Sequence, residues 1–173
     1  MKRFTEQIII VTGGASGIGE VTAKEFCKEG GTVVLADYNV SEIDRVQSEI
    51  ISTGGKASNV RVDLSDPTQV KEMIDFAINE YGRIDVLFNN AASQVSGSVT
   101  NLSLDQWRYT FAIMLDAPFL SSKFALEKMI QQKSGVIINA VSPSGVRPDH
   151  GMAAYGACKA ALINLTKSIA IDY

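Results

Sequence analysis

Tyr155 and Lys159 lie four residues apart in Tyr155-Gly156-Ala157-Cys158-Lys159, so a helix there places them on one face. Phenols titrate near 10, too high for proton transfer near neutrality without help. An ammonium about 4 Å away stabilises a phenolate by about 4 kcal/mol at an effective dielectric of 20, most of the activation required. Such a pair is more often a plain surface contact, so its neighbours decide. Ser142 lies thirteen residues upstream of Tyr155, at the end of an apolar run. Its hydroxyl reaches the same rim of a sheet. Together the three groups can hold an alcohol oxygen and move its proton.

A second constellation sits near the N-terminus. Thr12-Gly13-Gly14-Ala15-Ser16-Gly17-Ile18-Gly19 follows the first apolar run and opens a helical one. Glycines permit a tight turn and close approach of backbone to a pyrophosphate, and the helix start presents free N–H groups to it. The spacing is GxxxGxG, not the general GxGxxG. Asp37 ends the next apolar run, eighteen residues past Gly19. A carboxylate there accepts both adenosine ribose hydroxyls and repels a 2′-phosphate. Neither Ser16 nor Tyr38 is basic, as a 2′-phosphate would want. The cofactor is therefore read as NAD. Asp63, at the end of the third run, suits either the adenine amino group or capping of its own loop.

These residues must be positioned by elements. Gln7–Thr12, Thr32–Ala36, Ala57–Val62, Asp85–Phe88 and Val136–Val141 read as short buried strands. Gly17–Glu29, Ser41–Thr53, Pro67–Tyr81, Leu104–Gln131 and Ala153–Ile171 carry apolar residues at helical spacing. Ser65-Asp66-Pro67 places a capping residue before a proline at the first helical position. Alternation of this kind implies parallel βαβ units and a doubly wound α/β sheet, with ligands at the carboxyl ends of the strands.

Composition agrees. The chain has 173 residues, 46% of them hydrophobic, enough for one domain that buries roughly 70% of its unfolded surface. The net charge of −3, with both signs interspersed, offers no basic stripe for nucleic acid. No apolar run approaches the length of a membrane helix. Cys27 and Cys158 stand far apart and His150 is the single histidine, so no metal site is expected. A reduced, cytoplasmic enzyme fits these features. His150 reads as a loop residue. Ser93, Gln94 and Ser144 follow strands four and five and are candidates for the substrate cleft.

The chain resembles the short-chain dehydrogenase/reductase family. The likeness rests on Thr12–Gly19, Asp37, Asp63-Leu64, Asn89-Asn90-Ala91-Ala92, Ser142, and Tyr155 with Lys159, in order and spacing. It implies a Rossmann-type sheet of five strands in the order 3-2-1-4-5 with helices on both faces, within a single domain spanning 1–173. It implies that Gly13, Ser16, Gly17, Ile18, Gly19, Asp37, Asp63, Leu64, Asn89 and Ala91 bind the cofactor, with help from Tyr155 and Lys159. Tyr155 is the implied general acid/base for a secondary alcohol or ketone. Ser142 steadies the substrate oxygen, and Lys159 assists Tyr155 and holds the nicotinamide ribose. Asn89 seats the cofactor and ties the central strands. A homodimer or homotetramer through the long helix and the Tyr155 helix is also implied. Phe111, Phe119, Phe124, Leu162 and Ile169 serve either that contact or the core.

Two departures stand out. Seven residues after Trp107, where the family usually carries a catalytic Asn, this chain has Met114. Pro118 has no N–H to give the Met114 carbonyl, so that oxygen is expected to be free to hold a relay water. Second, the sequence stops at Tyr173, where family members continue with two more strands, a helix and a substrate lid. An incomplete chain, with the fifth strand as an exposed sheet edge, is the expectation. The competing functional class is an impaired or truncated nucleotide-binding or oligomerisation module.

Overall fold

The computed structural model describes residues 2–173. Runs of β-branched and leucine side chains form β1 (Ile8–Thr12), β2 (Thr32–Asp37) and β4 (Val86–Asn89), the central strands. Both of their faces are covered, so they show no polar alternation. β3 (Lys56–Arg61) and β5 (Val136–Asn139) flank them. All pairs are parallel, in the order β3-β2-β1-β4-β5. The fold is the doubly wound, Rossmann-type sheet that the alternation of elements implies.

Alternate residues of each strand feed two cores. Ile9, Val11, Val33 and Leu35 pack beneath α1 (Gly17–Lys28) and α2 (Val40–Ser52) through Phe26, Val46 and Ile50. Ile8, Ile10, Val34 and Leu87 face α3 (Pro67–Tyr81) through Met73 and Ile74. Asp66 caps α3 through Thr68 N–H, with Pro67 behind it, as the sequence predicts.

Two expectations are corrected and one open choice is resolved. β3 and β5, read as buried strands, are only partly covered because the order 3-2-1-4-5 puts them at the sheet edges as expected; Val136 and Ile138 of β5 stay exposed. The long helical stretch is broken into α4 (Leu104–Phe111), a π-helical segment Ala112–Asp116, and α5 (Ala117–Gln132). The cause is Pro118, which cannot donate to Met114; the ladder widens, and Ala117 N–H reaches Ala112 O. Leu162 is core and Phe119 is half exposed, which separates two residues that periodicity treats alike. The last helix is α6 (Ala153–Asp172). No helix among the described residues is long and apolar enough to cross a membrane.

An ion-pair cluster joins α1 to α2. Glu20 accepts from Lys24 at 2.5 Å and from Arg45 at 2.9 Å, and both cations also reach Glu49. The Arg45 and Lys24 hydrogen bonds hold the Glu20 carboxyl at about 2, below its ordinary 4.5. A depressed carboxylate stabilises the fold above its unfolded value and loses that contribution as pH falls through the folded one. Glu20→Gln is expected to cost on the order of 1–2 kcal/mol at pH 7, since the partners are part-exposed and screened. The difference from wild type should shrink between pH 4.5 and about 2. Urea unfolding across that range checks it.

Candidate active site

The carboxyl ends of the central strands open into a cleft of about 630 Å³. Gly13, Ser16, Gly17, Ile18, Asp37, Asp63, Leu64 and Ala91 line it. Its floor is a backbone contact that only glycine allows. A Cβ on Gly19 would lie 2.0 Å from the Gly13 carbonyl oxygen. A Cβ on Gly13 would lie 2.9 Å from Ala91 Cα, and Gly13 has φ +66.

The start of α1 is also unusual here. Asn39, Asp66 and Ser103 cap α2, α3 and α4 with their side chains, whereas Ser16 makes no cap hydrogen bond to α1. The first N–H groups of α1 therefore lack a side-chain acceptor at the cleft, where an anion would supply one. The acidic Glu20 in this turn is offset by Lys24 and Arg45.

Asp37 is held at the rim. Its Oδ2 accepts from Ala15 N–H at 3.2 Å and its Oδ1 from Asn39 N–H at 3.1 Å. Arg61 shares that rim, in register with Asp37 across β2 and β3. Arg61 belongs to neither constellation legible in the sequence. Its position at the carboxyl end of a strand was the available signal. Asp63 caps its own loop, its Oδ1 accepting from Ser65 N–H and Oγ, while still lining the cleft. Both of its proposed roles thus remain compatible.

Asn89 and Asn90 divide their duties. Asn89 is buried and outside the cleft lining; it donates to Asn139 Oδ1 at 2.9 Å and accepts from Ser121 Oγ at 2.8 Å. This is the strand-tying part of its expected role. Asn90 lines the cleft instead. Its Nδ2 donates to Thr12 O at 3.0 Å, and its N–H donates to Thr12 Oγ1 at 3.0 Å. Thr12 and Asn90 staple β1 to β4 beneath the glycine turn.

The second constellation lies at the end of β5 and the first turns of α6. Lys159 is 4% exposed, and its Nζ donates to Ala140 O at 2.5 Å. Burial pushes the ammonium below its ordinary value of 10.5. Nζ stands 5.6 Å from the centroid of the Tyr155 ring. The neighbouring Cys158 thiol is buried and pushed up to about 12, so it stays neutral. Ser142 precedes the 3₁₀ turn Pro143–Gly145, which presses on α6. A Cβ on Gly145 would lie 2.7 Å from the Lys159 carbonyl carbon, and one on Gly156 would lie 3.0 Å from Ser144 O. Sequence separation is thereby closed: the Ser142 turn meets the Tyr155–Lys159 turn backbone to backbone. Met114 is 1% exposed and packs with Ile113, Cys158 and Tyr155, so no polar side chain replaces the family's Asn.

The family profile described as short chain dehydrogenase matches residues 7–173. The chain belongs to the short-chain dehydrogenase family. A meso-2,3-butanediol dehydrogenase from Serratia marcescens is 40% identical over 171 residues, covering 99% of this chain and 67% of the relative. An NAD+-bound xylitol dehydrogenase superposes with a TM-score of 0.94 at 31% identity, covering 99% of this chain and 66% of that one. A metagenomic short-chain oxidoreductase in complex with NADP gives 0.93 at 33%, covering 98% and 77%. This short-chain dehydrogenase chain thus spans about two thirds of the length of the first two. Its fold is that of a nicotinamide dinucleotide-binding oxidoreductase, and the glycine cradle and uncapped α1 fit such a cofactor.

Two outcomes follow from the geometry. Gly19→Ala must push the Gly13 carbonyl aside, and affinity for NAD and NADP alike should fall at least about tenfold by calorimetry. Lys159→Met tests the buried ammonium through pH. A lysine whose folded value is lowered penalises the fold at neutral pH, and the penalty is relieved as pH rises towards the unfolded 10.5. The stability of wild type relative to Lys159→Met should therefore rise from pH 8 towards 10.5. Urea midpoints across that window measure it.

Proposed function

We propose that the chain is an NAD-dependent alcohol dehydrogenase or ketone reductase in which Tyr155 is the general acid/base. One observation carries this reading: the buried Lys159 ammonium, one helical turn from Tyr155, against the turn that bears Ser142. When bound, the nicotinamide supplies the two-electron acceptor or donor. The chain's own residues handle the proton and the oxygen. Tyr155 removes the proton of a secondary alcohol at its Oη, or returns it to a ketone. Ser142 Oγ donates to the reacting oxygen as charge develops there. Lys159 has three N–H donors and gives one to Ala140, leaving two for the phenolate side and a ribose hydroxyl. Asn89 acts from behind the cleft, through the strands.

NAD is favoured by Asp37, a carboxylate fixed at the rim by two backbone N–H groups. Arg61 on the same rim supports acceptance of NADP as the second reading. The names of the butanediol and xylitol dehydrogenases support alcohol oxidation as the reaction class. Two buried free cysteines suit a reducing, cytoplasmic setting. The half-exposed Phe119 on α5 suits packing against a second copy, as a dimer or tetramer. The apolar Met114 favours, as a second functional class, a nucleotide-binding module with impaired turnover.

Thermal unfolding with each cofactor separates these readings. NAD at a hundred times its dissociation constant stabilises by about 2.7 kcal/mol, a rise of roughly 5–11 °C for a chain of this size. NADP at the same concentration should give a smaller rise, and Asp37→Ala should close the gap. Tyr155→Phe should lower turnover of secondary alcohols by about 10²–10⁴ while sparing the NAD-induced rise. Turnover indifferent to that substitution rejects the mechanism.

A further inference from the structure

We infer that Ser144 and Asp149 form a second oxygen-binding subsite, which selects neutral substrates carrying a hydroxyl on the carbon next to the reacting one. The inference rests on the proposed reaction and names its substrate class. Ser142 Oγ accepts from Ser144 N–H at 3.2 Å and donates to Ser144 Oγ at 3.2 Å. Ser144 Oγ in turn donates to Asp149 Oδ2. The direction of this chain is set by chemistry. A carboxylate only accepts, so the Ser144 proton points at Asp149 and its oxygen is left to accept from Ser142. The Ser144–Asp149 bond also makes that oxygen a stronger acceptor.

Catalysis breaks the chain at one point. When Ser142 turns its proton to the reacting oxygen, Ser144 Oγ loses its donor. A simple secondary alcohol has nothing to offer in its place. A hydroxyl on the adjacent carbon does, because oxygens on neighbouring carbons match the spacing of the two serine oxygens. The substrate then inserts into the chain and every donor and acceptor stays paired. Sites built to pair a substrate hydroxyl discriminate strongly against the analogue that lacks it.

The subsite is also held in place. The Ser144 carbonyl presses on Gly156, beside Tyr155. The loop bearing Asp149 is closed by Met152 N–H on Asp149 O at 3.3 Å. It is pinned to the loop after β4 by Gly97 N–H on Gly151 O at 2.7 Å. The charge of Asp149 adds a second filter. A substrate with a carboxylate on the adjacent carbon meets a like charge, so 2-hydroxy acids are disfavoured.

Three matched probes test this with the NAD-loaded chain: 2-propanol, 1,2-propanediol and lactate. They differ only in the methyl, hydroxymethyl or carboxylate beside the reacting carbon. The diol should exceed 2-propanol by at least about tenfold in kcat/KM and in affinity measured by calorimetry, and lactate should be the poorest. Ser144→Ala and Asp149→Asn should each bring the diol-to-propanol ratio to within about threefold of unity. A wild-type ratio near one overturns the subsite. So does a ratio unchanged in both variants, even if both rates fall, because a role in merely supporting the loop lowers the two substrates together. A tenfold binding preference without NAD-linked turnover keeps the subsite and removes the oxidoreductase reading instead.

Discussion

A buried ammonium must find acceptors or give up its charge, and that requirement organises one half of this molecule. Lys159 meets it with the carbonyl of Ala140, the first residue after β5. The bond ties α6 to the sheet at one turn. Two residues beyond Ala140 comes Ser142, and one turn before Lys159 comes Tyr155. Their meeting thus depends on this contact. It also depends on two missing side chains: Gly145 and Gly156 let the Ser142 turn and α6 approach to backbone distance. A second tie further along α6, Asn139 Nδ2 to Thr166 Oγ1 at 2.9 Å, resists rotation of the helix.

The cofactor half follows another logic, in which backbone does most of the recognition. Gly13 and Gly19 touch where no Cβ fits, and the α1 N–H groups are left without a side-chain cap. Side chains act mainly as fixings: Asp37 is held by Ala15 and Asn39, and Thr12 by Asn90 and Ala91. The two halves join at consecutive residues of the β4 end. Successive strand side chains point to opposite faces. Asn89 therefore enters the polar chain to β5, α5 and α6, while Asn90 turns to the glycine loop.

Much of this was legible in one dimension. The strand and helix alternation, the Asp66-Pro67 helix start and the glycine turn all depend on neighbours within a few residues, and such signals survive without the fold. Local signals fall short where long-range contacts decide. β3 carries a pattern close to that of a covered strand, yet its place at the sheet edge leaves it only partly covered. The long helical stretch kept its apolar period through Met114, but Pro118 removed a donor and widened the ladder. Motif position also does not say that the Asn89 side chain turns to β5 and α5 while Asn90 turns to the glycine loop.

The sequence by itself determined the fold class, the two constellations and the family to which they belong, because each is written in residue type and short spacing. Tertiary structure alone decided that Lys159 is buried, that Arg61 stands beside Asp37, and that Ser142, Ser144 and Asp149 form one hydrogen-bonded line. These depend on strand register and on how closely a turn packs against a helix. Both are set by the whole core at once, and no local spacing encodes them.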